Sequence, residues 1–343
     1  MCVKGNRRLR NFCQEHCPEA ILKPEGALFL FEDVDEAGVA AANVEKLGVP
    51  MSWLSREQIH GYEPWLSSTI LRSGFLTQID CPFGAKPILD ALVRINEKRG
   101  AILIASARPL PELRIERLSC GWLLSDGVVT VTAASVVLCA GVLNPLLLKT
   151  ITGRNLDMKI QRSFIGVFHA PITRRIVRID VGDSPMMLCP FPGGTTVNME
   201  ESDVASHVHP ELEPVPYIVK EFEIKLRPVL RLAGGEKLHF YTCEKLNNTQ
   251  DDRNPYPLVP YGSRHYFWTD EGDGLYSFYP GKFVAVPVAC EDLASKLIKI
   301  PSVRRTGEAE RPAPLCVPEL PMYSAPTHVV AAAYDEPLKI VRL

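Results

Sequence analysis

Residues 263–297 read SRHYFWTDEGDGLYSFYPGKFVAVPVACEDLASKL. The alternating stretch before Tyr279 reads as a strand, and Leu275–Tyr279 runs straight into Pro280-Gly281-Lys282-Phe283. A helix should follow, because Val286, Ala289, Leu293 and Leu297 recur at helical spacing. Pro287 fits that helix only in its first turn, where a backbone N–H has no intrahelical partner to lose. Strand, glycine turn and helix in succession make one step of a layered α/β sheet.

The same succession occurs upstream. Ser135-Val136-Val137-Leu138-Cys139 is an almost wholly apolar strand that ends in Ala140-Gly141, and Asn144–Lys149 reads as a helix. A glycine placed directly after a buried strand marks a close approach of something to the backbone. Before it come strand candidates 101–105, 112–117, 121–125 and 128–132, with Asp126-Gly127 as a hairpin turn. Further upstream, 36–48 and 56–60 read as helices, with Ser55 as N-cap of the second. A strand at 74–80 precedes a helix over 87–98, whose apolar residues Ile88, Leu89, Leu92, Val93 and Ile95 share one face and whose stop is Gly100. Between 160 and 245 the chain turns strand-rich, with a helix at 215–226 and a strand at 238–243. The expected fold is therefore mixed α/β (α+β), a layered sheet carrying an inserted β-meander, with an antiparallel sheet packed against it.

Composition narrows the function. The formal charge of −2 lacks the basic excess that a nucleic-acid partner requires. No apolar run reaches the ~18 residues of a spanning helix, so no integral membrane segment is expected. The start, MCVKGNRRLRNFC, has basic residues without an apolar core behind them, and a cytoplasmic protein is the default reading. The ten cysteines form no CxxC pair, so neither zinc nor a disulfide framework is expected, and those in VVLCAG and VPVACEDL read as small buried hydrophobes. His207 and His209 flank one residue in a polar loop with no acidic or thiol partners, a poor metal site, and no metal is expected. Prolines cluster at 210–216, 255–260 and 312–326, which marks loops or extended crossings.

Four stretches in order resemble FAD-dependent oxidoreductases of the D-amino acid oxidase and glycerol-3-phosphate dehydrogenase type. They are Gly74–Arg94 with Lys98-Arg99-Gly100-Ala101 behind it, Val136–Val142, Gly193-Gly194-Thr195-Thr196, and Ser263–Leu297 with its glycine-lysine pair. The resemblance implies a partial, Rossmann-like FAD-binding domain over 1–158, an antiparallel substrate domain over 159–255, a return to the FAD-binding domain over 256–300, and a proline-rich tail over 301–343. The family's GxGxxG turn, which seats the pyrophosphate on a helix N-terminus, is absent from the sequence. The expectation is an incomplete FAD-binding domain in a truncated chain.

The resemblance also implies roles. Cys139, Ala140 and Gly141, and Pro280, Gly281, Lys282 and Phe283, would line the cofactor, with Gly281 letting the backbone approach the flavin ring. Lys282 would hold substrate or flavin, Arg264 would grip a substrate anion through its guanidinium fork, and His169 falls near the position of an active-site histidine. His265 is a further candidate base. The implied activity is oxidation of a small hydroxy or amino compound by hydride transfer to FAD, with the electron acceptor unnamed by the residues. A catalytically inactive remnant serving as a binding module, and an amine oxidase of the same fold, are the alternatives.

Overall fold

The chain is described from a computed structural model at residues 2–22, 26–67, 71–78, 82–104, 113–155, 158–180, 185–205, 220, 223–231, 237–248, 266–281, 283–297 and 340–342. Helix α1 (Cys2–His16) leads to strand β1 (Ala27–Phe31), helix α2 (Val34–Lys46), strand β2 (Met51–Leu54), helix α3 (Arg56–Tyr62), strand β3 (Ser73–Thr77) and helix α4 (Ala85–Lys98). Asp33 caps α2, accepting from the N–H groups of Asp35 and Glu36. Ser55 caps α3 as its sequence suggests, in a reciprocal box with Gln58.

Next come β4 (Arg114–Leu118), β5 (Gly121–Ser125), β6 (Thr130–Ala133), β7 (Val136–Leu138) and α5 (Asn144–Thr152). The strands β8 (Met158–Phe168), β9 (Ile176–Asp180), β10 (Met186–Phe191), β11 (Gly194–Ala205) and β12 (Lys237–Asn248) follow. The described chain ends with β13 (Phe267–Gly272), β14 (Leu275–Tyr279), α6 (Val286–Leu297) and β15 (Ile340–Arg342).

Nine strands form one sheet in the order β15-β12-β8-β11-β10-β9-β1-β3-β2. Every neighbouring pair is antiparallel except β1 and β9, which run parallel from Ala27↔Ile176 to Phe31↔Asp180. Residues 27–77 thus share a sheet with residues 158–248. Strand β1 is apolar throughout because both of its faces are covered. Leu28 and Leu30 join the large core with Ile59 of α3, Val177 and Ile179 of β9, and Leu226, while Phe31 packs with Phe75 against Ala37 and Ala41 of α2.

A smaller sheet, β13-β14-β7, carries the two glycine turns. Strands β7 and β14 are parallel neighbours, and β14 is buried along its whole length. On one face Leu275 meets Leu138, Leu147, Leu148 and Trp122; on the other, Tyr276 and Phe278 meet Ala289 and Leu293 of α6. The meander β4-β5-β6 is stapled to the β13–β14 turn, where Trp122 Nε1 donates to the carbonyl of Asp273 at 2.9 Å.

Two expectations need correction. Residues 101–104 carry no regular structure, and Ile102 stands exposed, because no described strand offers that stretch a ladder. Cys139 and Cys290 are exposed rather than buried: the first lies beyond the last paired residue of β7, the second on the outer side of α6. Among the described residues the buried thiols are instead Cys13 and Cys17, packed with Leu9, Ala20, Ile88 and Ala91. Of the helix expected over 215–226, residues 220 and 223–226 are described, and all are helical.

Candidate cofactor site

The pairing of β7 with β14 ends at Leu138↔Ser277, so both chains leave the ladder at the same, carboxyl edge. Ligands of open α/β sheets bind at this edge. From it emerge Cys139-Ala140-Gly141 on one side and Tyr279-Pro280-Gly281 on the other. Both glycines adopt a left-handed conformation, Gly141 at φ 60° and Gly281 at φ 68°. A Cβ built on Gly141 would meet no atom within 4 Å, so the space beside that backbone is open.

Asn144, which sequence reasoning missed, holds this edge together. It is fully buried at the start of α5. Its Nδ2 donates to the carbonyls of Leu138 at 2.9 Å and Phe278 at 3.0 Å, and its Oδ1 accepts from the N–H of Ala140 at 2.6 Å. The available signal was a polar residue inside the apolar run GVLNPLLL, which a glycine opens.

Beyond Gly281 the chain makes a short 3-10 turn, Phe283–Ala285, before α6 begins at Val286. The helix therefore starts later than directly after the glycine, and Pro287 falls in its first turn as its chemistry demands. Phe283 is exposed. Val284 is held from behind by α1: a Cβ on Gly5 would lie 1.9 Å from the Val284 carbonyl oxygen. The turn is thus anchored on one side, while Gly281 and Phe283 remain accessible on the other.

The 3-10 turn Gly141–Leu143 contacts β12 of the large sheet. His239 lies on that strand, and its ring meets His169 edge-on at 4.5 Å between centroids. His169 follows the end of β8 and is exposed. Arg264, His265, Lys282 and the pair His207 and His209 lie outside the described residues. Among the described residues no three His, Cys, Asp or Glu side chains gather as a metal-binding group. No helix among them is long and apolar enough to cross a membrane.

Beneath the site, on the face of β14 opposite α6, a polar group is buried. The hydroxyl of Tyr279 has no hydrogen-bond partner of good geometry, nor does that of Ser277. Burial pushes the Tyr279 phenol up to about 12, opposed by the nearby Ser277 hydroxyl, with Glu271 adding to the rise and the Asn144 amide opposing it.

Two left-handed glycines thus follow the carboxyl ends of neighbouring parallel strands, with open space at Gly141 and accessible backbone at Gly281. Among the described residues no glycine-rich turn opens a helix where a pyrophosphate could sit.

Comparison with known proteins supports the same frame. The family model described as FAD dependent oxidoreductase matches residues 1–267. The glycine oxidase from Geobacillus kaustophilus superimposes with a TM-score of 0.64 at 16% identity, over 91% of this chain and 80% of that one. NikD, an unusual amino acid oxidase essential for nikkomycin biosynthesis, gives a TM-score of 0.66 at 19% identity, over 90% and 80%. The L-alpha-glycerophosphate oxidase from Mycoplasma pneumoniae gives 0.59 at 10% identity, over 87% and 79%. No curated protein sequence matches the chain.

Proposed function

This chain belongs to the FAD dependent oxidoreductase family, and from that premise we propose that it oxidises a small hydroxy or amino compound at the edge between Gly141 and Gly281. FAD is the cofactor of that family, and when bound it supplies the hydride acceptor. The observation that carries the reading is that two left-handed glycines follow the carboxyl ends of neighbouring parallel strands. The fold likeness to amino acid oxidases and to a glycerophosphate oxidase supports both substrate classes.

The roles follow from the chemistry of each group. Backbone N–H groups around Gly281 and Phe283 would hold the pyrimidine edge of the cofactor, and as fixed dipoles they would favour negative charge there without reorganisation. Lys282 holds substrate or flavin through its positive charge. Arg264 orients a carboxylate or phosphate on the substrate through a bidentate fork. His169 takes the proton released from the substrate's hydroxyl or amine, with His239 packed against its ring.

The test is direct. Purified protein titrated with FAD should gain thermal stability and the visible absorbance of bound oxidised flavin. It should then be bleached anaerobically by a member of a panel of small amino and 2-hydroxy acids. Lys282→Met should lower turnover far more than flavin content. A preparation that gains neither stability nor colour at saturating FAD overturns the reading.

A further inference from the structure

We propose that Asn144 is a positioning residue that couples the two glycine crossings, so that Gly141 and Gly281 present one fixed edge to the cofactor. The inference rests on the flavin reading above and deepens it. The backbone ladder between β7 and β14 stops at Leu138↔Ser277, before either glycine is reached. Past that point the strands would be free to separate. The Asn144 side chain takes over where the ladder ends, with one bond to each strand and a third to the turn itself.

A carboxamide has two donor hydrogens and one acceptor oxygen pointing in opposite directions, and here each serves a backbone group. Leucine has neither donor nor acceptor. Aspartate keeps the acceptor for Ala140 but turns a second oxygen toward two carbonyls. Glutamine is one methylene too long for a fully buried position. The residue is itself immobilised, since α5 is anchored through Leu147 and Leu148 against Leu138 and Leu275. Displacement of one crossing is therefore transmitted to the other through a single rigid amide.

A buried asparagine that only satisfies local polar groups would affect stability and nothing else, so the test needs a separate readout. Amide hydrogen exchange should be compared between wild type, Asn144→Leu and Asn144→Asp, without FAD, for peptides covering 138–141 and 278–281. Both variants should exchange faster in both peptides, by about tenfold or more in the leucine variant. FAD affinity, measured well below the melting temperature, should fall by about tenfold or more in Asn144→Leu. In Asn144→Asp it should fall at neutral pH and recover in part in acid, where a protonated carboxyl can again donate.

Faster exchange confined to 138–141 overturns the coupling, as does unchanged FAD affinity in a variant whose exchange has risen. If Asn144→Leu does not fold, the aspartate variant and its pH dependence decide. If wild type binds no FAD, the flavin reading fails, and the exchange data alone decide whether the crossings are coupled.

Discussion

Glu63 and Arg175 face each other out of reach of water, with a carboxylate oxygen 3.3 Å from the guanidinium Nε and both side chains buried. Glu63 ends α3, and the N–H of Arg174 donates to both of its oxygens at 3.2 and 3.3 Å. The Arg175 guanidinium also lies over the ring of Tyr62, 4.5 Å from its centroid. The contact ties the helix that covers the large sheet to the segment entering β9.

This pair makes stability depend on pH in a stated direction. Burial outweighs the hydrogen bond from Arg174 and the charge of Arg175, and lifts the Glu63 carboxyl to about 7. The folded pKa lies above the unfolded value, so the fold binds this proton more tightly than the unfolded chain does. The contribution is fully present below the usual carboxylate range and is lost as pH rises through about 7. Glu63→Gln removes the titrating group. The difference in unfolding free energy between wild type and variant should shift toward the variant between pH 5 and 8, by on the order of 2 kcal/mol. Urea denaturation across that range checks it, and a difference independent of pH would sink it.

Gly5 should tolerate no side chain. A methyl there would lie 1.9 Å from the backbone oxygen of Val284, and backbone cannot move aside as a flexible side chain can. Gly5→Ala should therefore lift α1 off the turn behind Gly281 and cost about 2 kcal/mol or more. Denaturation measures the cost. The same variant should weaken FAD binding, because the anchor of that turn is displaced.

How far the sequence disclosed this arrangement depends on how local each signal is. Leu275–Tyr279, Gly121–Ser125 and the Ser55 cap are legible because an apolar run or a capping residue acts within a few positions. Helix α1 is obscured by its basic residues, although Leu9 and Cys13, with Cys17 just past its end, recur at a spacing of four and are buried together. Strand β1 shows no alternation because both faces are covered, which makes ALFLF ambiguous between strand and buried helix. Ala101–Ile104 has strand chemistry but no ladder, a fact that only tertiary structure decides. Asn144 was the least accessible of all, since one of its partners, the Phe278 carbonyl, lies 134 positions away.

Removing the Tyr279 hydroxyl should cost the fold little. The group is buried without a well-formed hydrogen bond, and deleting an unsatisfied polar atom is near neutral or stabilising. Its ring is the part that packs, stacked on Phe267 at 4.5 Å. Tyr279→Phe should thus stay within about 0.5 kcal/mol of wild type or exceed it, whereas Tyr279→Ala should lose about 3 kcal/mol or more. A loss above about 1 kcal/mol for the phenylalanine variant would mean the hydroxyl is satisfied after all, by Ser277 or Asn144.

The sharpest test of the cofactor edge sets one glycine against another. Gly141 at φ 60° and Gly48 at φ 64° share a left-handed backbone, and a Cβ on either would meet no protein atom within 4 Å. Alanine at each position therefore carries the same conformational penalty, about 1 kcal/mol, and no clash within the protein. The two positions differ only in what lies beside them. Gly48 follows α2, whereas Gly141 stands at the carboxyl edge of β7, next to the crossing at Gly281. If a flavin occupies the open space there, the Gly141→Ala methyl intrudes on it, and FAD affinity should drop by about tenfold or more. Gly48→Ala should leave that affinity unchanged while lowering Tm by a similar amount. Equal FAD affinities in the two variants, read by titration at matched distance below each melting point, would remove Gly141 from the site.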